Sequence, residues 1–111
     1  MELRIDFSKP VWEAEEAAIL TTKDLDDFYT QAGQTERLDL FFMLLATLHE
    51  FEAKEENVLA AKMCFLLAYY LFVPLTPPAS CRLAMYYIKK AVLLDPQKCY
   101  IEWQKLIEKG N

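Results

Sequence analysis

Glycine is almost absent from this chain: Gly33 and Gly110 are its two examples in 111 residues. Turn-rich β architectures and phosphate-cradling loops both depend on glycine, so neither is expected. Histidine is scarcer still. His49 stands alone, which leaves any Cys–His or Ser–His pair without an alternative base. The run "HEFEA" begins like the zinc-protease motif, but Ala53 occupies the place of the second ligand. The Glu-x-x-His pattern of di-iron bundles would need an acid at Ala46. Cys64, Cys81 and Cys99 include no C-x-x-C pair and are odd in number, so reduced thiols in a cytosol are expected rather than a disulfide framework or a zinc site. The opening "MELRIDFSKP" shows no basic stretch leading into an apolar core, and no cleaved leader is expected.

A broad basic excess is also missing. The net charge is −5, and it is unevenly distributed. Residues 1–56 carry five Lys/Arg and fourteen Asp/Glu, a balance of −9; residues 57–111 carry seven and three, a balance of +4. Such halves suit helix-on-helix pairing, within or between chains, better than a nucleic-acid surface. Acids are clustered at Glu13, Glu15 and Glu16 and again at Asp24, Asp26 and Asp27. Both clusters fall where helices begin, and "DLDDFYTQAGQTE" lacks the glycine a calcium loop needs at its sixth position.

What the chain has in quantity is apolar residues, 54% against about 45–50% for ordinary domains, enough for a sizeable core in a single unit. Residues 1–7 alternate, with Leu3, Ile5 and Phe7 on one side, as an extended arm would. Residues 8–34 read as two short helices. The first is capped by Ser8 with Pro10 in its first turn and Phe7 stapled to Trp12; the second is capped by Thr22 and ended by Gly33. Residues 35–73 read as an apolar hairpin, with helix 3 starting at Thr35 and helix 4 capped by Asn57. "PLTPPAS" is the one clear loop, after which Ser80 caps a second hairpin over 80–109 that turns at Asp95-Pro96. From Val58 to Leu75 only Lys62 is charged, close to the lower limit of about 18 residues for a membrane-spanning helix. Lys62, the mid-segment Tyr69 and Tyr70, and Pro74 argue instead for a buried helix. The expected fold is therefore all-α, five or six helices packed as antiparallel hairpins in one domain.

Ala84, Ile88, Ala91 and Pro96 in "AMYYIKKAVLLDP" place two small residues two turns apart on one face, a bulky one between them, and a proline after the helix. Small residues so spaced let a neighbouring helix approach closely. This arrangement resembles the second helix of a tetratricopeptide repeat. Met63, Leu66, Leu67 and Tyr70 follow the spacing of the first helix of such a repeat, so the resemblance covers residues 58–96. The chain departs from the family pattern at Leu67, where a small residue is usual, and in the longer turn "VPLTPPAS". The resemblance implies a tetratricopeptide-like stack of hairpins; the periodicity alone is equally met by an orthogonal helical bundle.

Helices 3 and 4 are apolar on nearly every side, and a domain of this size covers only about two-thirds of its unfolded surface. An exposed patch is therefore expected, and with it a partner. Aromatic and basic residues interleave in the last three helices, a composition that suits a groove for an acidic, apolar peptide. The expected partner-binding residues are Phe42, Met43, Tyr69, Tyr70, Phe72, Tyr86 and Lys89. The function read from this is protein–protein interaction in the cytoplasm, as a scaffold, adaptor or chaperone-like module binding a peptide or helix, with a homodimer as the simplest assembly. The alternative is a helical transcription-linked or nucleic-acid-binding factor. No catalytic residue, metal, cofactor, nucleic acid or membrane is expected.

Overall fold

In the computed structural model, which describes residues 2–110, the apolar segment after Glu56 lies at the centre of the domain. The described residues form six α-helices and no strand: α1 (Ala14–Ile19), α2 (Thr22–Gln31), α3 (Gln34–Ala53), α4 (Asn57–Tyr70), α5 (Ser80–Leu94) and α6 (Lys98–Lys109). The chain is all-α, as its periodicity demanded. Ten residues of α4 are buried, and α1, α2, α3 and α5 all pack against it. Its last face is closed by aromatic contacts with α6, where Phe65 stacks on Tyr100 at 5.0 Å and Tyr69 meets Trp103 edge-on at 5.3 Å. The shortest molecular extent is 21 Å, about two helix layers.

The single charge inside α4 has a structural use. The Lys62 ammonium donates to the Ala18 carbonyl at 2.5 Å, satisfying one of the acceptors left open at the end of α1. Lys90 of α5 pairs with Glu52 of α3 across the same core, so it is not a free surface lysine.

The turn from α3 to α4 takes three residues, which forces the chain to reverse. The Glu56 N–H donates to the Phe51 carbonyl at 3.0 Å and the Glu55 N–H to Glu52 at 3.1 Å, the pair of bonds that defines a Schellman turn. Glu55 holds the position that glycine usually fills, at φ 57. Glu55→Gly is therefore expected to stabilise the domain by about 1 kcal/mol, because an L side chain in the left-handed region costs about 1–2 kcal/mol, partly offset by glycine's larger unfolded-state entropy. A thermal melt showing a lower midpoint would contradict this.

Several local expectations are corrected. Ser8 does not cap a helix: its N–H and hydroxyl both donate to the Asp6 carboxylate, at 2.9 and 2.6 Å, in a tight turn. The Trp12 N–H donates to Thr47 Oγ1 at 3.1 Å, a tertiary bond that keeps residue 12 out of a helix. The first helix accordingly begins at Ala14, with the Glu16 carboxylate accepting from the Glu13 N–H. Phe7 and Trp12 form no staple, since Trp12 is buried and Phe7 is 82% exposed. Thr21, not Thr22, caps α2, in a reciprocal capping box with Asp24. Gly33 ends no helix; it opens α3 at an ordinary φ of −78°. Asn57 and Ser80 are first helical residues rather than caps, and Gln97, not the Asp95-Pro96 pair, stands at the head of α6.

Past Tyr70 the backbone widens into a π-turn, Leu71–Leu75, with the Thr76 N–H reaching the Leu71 carbonyl at 3.1 Å. Pro74 lies inside it, and the wider turn tolerates a ring that an α-helix would not. Ala84, Ile88 and Ala91 are fully buried on the face α5 turns to the core, which is the face their spacing called for. The arm lies on the helices: Leu3 is buried and Ile5 half-buried, beside Phe28, Gln31 and Ala32 of α2 and its end.

Candidate functional site

Of the seven residues expected to meet a partner, four belong to the core. Met43 and Phe72 are buried, and so are Tyr69 and Tyr70. The Tyr69 hydroxyl donates to both Asp26 carboxylate oxygens at 2.8 and 2.9 Å, tying α4 to α2. The Tyr70 hydroxyl donates to the Arg37 carbonyl at 2.6 Å, while the Arg37 guanidinium lies 3.8 Å above the Tyr29 ring. Tyr69 and Tyr70 offer little surface to a partner, because α1, α2 and α6 cover the faces of α4 that the sequence left open, and Met43 reaches the surface only as part of a cleft wall. Of the aromatic residues in the last three helices, Tyr69, Tyr70 and Tyr100 lie inside, while Tyr86 is exposed. The groove expected among the last helices is absent from those residues.

Burial also fixes their ionisation. It pushes the Tyr69 phenol up to about 12, aided by its bond to Asp26, and the Tyr100 phenol up to about 12, aided by nearby Asp95; Tyr70 is raised further by burial beside Tyr29. The fold thus holds the neutral phenols. Their contribution is complete below pH 10, the ordinary tyrosine value, and is lost as pH rises towards 12. In an alkaline titration, the tyrosinate of Tyr69 and Tyr100 is expected to appear together with loss of helical circular dichroism. Full tyrosinate formation with the helices intact would contradict the burial.

Phe42, Tyr86 and Lys89 do stand at the surface. Phe42 is 61% exposed and points away from the core on α3, with Phe41 meeting its ring edge-on at 5.2 Å. Opposite it, the arm holds out Phe7. Between them lies a cleft of about 250 Å³ lined by Ile5, Phe7, Pro10, Phe42, Met43 and Ala46, with Asp6 and Asp39 also on its walls. Small-molecule sites run to about 300–1,000 Å³; this cleft is sized for one or two apolar side chains. The Ser8 hydrogen bonds hold the Asp6 carboxyl below the usual carboxylate range, so that wall is anionic at neutral pH. The acidity reverses the polarity expected from the sequence, which favoured an acidic ligand. The sequence placed Phe7 in an alternating arm and in a staple with Trp12; its exposure follows from the turn that Asp6 closes on Ser8.

A larger hollow of about 520 Å³ separates the arm from α2, with Glu2, Asp24, Asp27 and Glu36 on its walls. The Asp24 carboxylate is engaged by the Thr21 N–H at 2.9 Å and serves the α2 cap. His49 is 70% exposed on α3, with its Nδ1 3.7 Å from Glu52. Burial pushes the Cys64 thiol up to about 12, far from a thiolate nucleophile at neutral pH. Among the described residues no three His, Cys, Asp or Glu side chains are grouped so as to hold a metal ion. Residues 57–75 are long and apolar enough to cross a membrane, and 67% of that span is buried within the domain. Comparison with protein-family models, curated proteins and solved structures finds no match to this chain, so the reading of the cleft rests on its own geometry.

Proposed function

We propose that this protein is a helical interaction module that docks a protein segment in the cleft between its arm and α3. The carrying observation is the pair Phe7 and Phe42, 82% and 61% exposed, on either side of an apolar cleft with Asp6 and Asp39 on its walls. Exposed aromatics around a cleft are the side chains that dominate binding energies when a partner desolvates them. The acidic walls select a partner whose apolar anchor is flanked by Lys or Arg. The buried small face of α5 supports the repeat-like reading of residues 58–96, which belongs to the same proposal. Cys64, Cys81 and Cys99 are free thiols, which suits a reducing compartment, and the proposal takes the cytosol as the site of action.

The test is selection from a random peptide library on the folded domain, with Phe42→Asp as the counter-target. Enriched sequences are expected to share an aromatic or aliphatic anchor beside basic residues, and to bind the variant at least about tenfold more weakly, the scale of a hot-spot loss above 1 kcal/mol. Failure to enrich, or equal binding to Phe42→Asp, would contradict the proposal.

A further inference from the structure

The outer face of α5 has the complementary character. Tyr86 and Leu93 are seven residues apart on the side opposite Ala84, Ile88 and Ala91, and they are 60% and 84% exposed. Arg82 and Lys89 flank them on the same side of the helix, exposed, and neither joins an ion pair among the described residues. The Tyr86 ring meets the Tyr87 ring edge-on at 5.1 Å, so the aromatic side chain of this face is already positioned. The face is a convex basic ridge with an aromatic tip; the arm–α3 cleft is a concave acidic slot with room for such a tip.

We infer that the cleft of one chain receives the α5 ridge of a second copy, with Tyr86 inserted between Phe7 and Phe42 and Arg82 and Lys89 set against Asp6 and Asp39. This inference rests on the docking proposal and names its occupant. The contact joins two different surfaces, so each molecule offers one of each kind. The positioned rings of Tyr86 and Phe42 lose little freedom on association, which favours the complex. The charged part of the contact weakens as salt rises.

Sedimentation velocity on the full chain, at low and high salt, tests it with two exposed-site variants whose folding is checked by circular dichroism. Phe42→Glu destroys the slot and keeps the ridge; Tyr86→Glu destroys the ridge and keeps the slot. The wild-type chain is expected to self-associate, more weakly at high salt. Each variant alone is expected to remain at 13.0 kDa, and an equimolar mixture to recover a species of about twice that mass, because one intact slot then meets one intact ridge. A monomeric wild-type chain, a variant that associates as tightly as wild type, or a mixture that stays monomeric overturns the inference. A monomeric chain that still selects basic, aromatic peptides through Phe42 overturns the self-contact alone and leaves the docking proposal standing. Self-association without such peptide selection, and undiminished in both variants, overturns both.

Discussion

Leu67→Ala is expected to lower the free energy of unfolding by about 2–5 kcal/mol, the loss seen when a fully buried leucine leaves a cavity. Leu67 has no exposed surface and sits in the middle of α4, the helix against which α1, α2, α3 and α5 all pack. Close packing on every side leaves little freedom to collapse into the gap, which puts the effect towards the upper part of that range. Domains are stable by about 5–15 kcal/mol, so this one substitution removes a large share. Chemical denaturation should show a lower midpoint with an unchanged slope. Val58, in the same helix but 64% exposed, provides the contrast: Val58→Ala should change stability by no more than about 0.5 kcal/mol. Equal effects at the two positions would mean that α4 is not enclosed. Leu67 is also where the chain departs from the tetratricopeptide pattern, and its burial accounts for the larger side chain: it fills core space that a small residue would leave empty.

Ala91→Leu should cost about 1–3 kcal/mol by overpacking, a fall of roughly 4–8 °C in melting temperature per kcal/mol for a domain near this size. Ala91 has no exposed surface where α5 meets α4, the most extensive helix contact in the domain, and a leucine there must push the helices apart or adopt a strained rotamer. Lys89→Leu, two residues earlier on the outer face, should leave the melting temperature nearly unchanged. Lys90 is unsuitable for that comparison, since its ammonium pairs with Glu52 and its loss breaks a link between α5 and α3. If Ala91→Leu and Lys89→Leu behave alike, the small-residue face of α5 does not set the helix spacing.

Most of the helical framework is legible in the sequence because it is written locally. The prolines at 74, 77 and 78, the acidic exit of α3 and the 3.6-residue stripes bound α3 to α6 within a residue or two, apart from the π-turn that carries α4 into Pro74. The start of α1 was not legible. Ser8 and Pro10 form a sound local helix signal, but Asp6, two residues back, takes Ser8 in a competing turn and Thr47, 35 residues away, takes the Trp12 N–H, so one local and one tertiary interaction together overrule it. The site was harder still. Helices apolar on nearly every side carry no record of which side faces outward, so Phe42 and Tyr69 look equivalent in sequence. Only the positions of α1, α2 and α6 decide that Tyr69 binds Asp26 inside the domain while Phe42 faces solvent. The polarity of the cleft depended on the arm folding against α3, a contact between residues about 35 apart that periodicity does not encode.

The central claim is that α4 is enclosed by its own chain, which makes it the core and leaves the arm–α3 cleft and the α5 ridge as the proposed docking surfaces. Native-state amide hydrogen exchange on the full chain tests this most directly. The amides from Ala60 to Tyr70 are expected to exchange only through global unfolding, as slowly as any in the protein, and to keep that protection at concentrations low enough for the chain to be monomeric. Exchange of these amides by local opening, or protection that vanishes on dilution, would show that α4 depends on something outside the chain and would contradict the account.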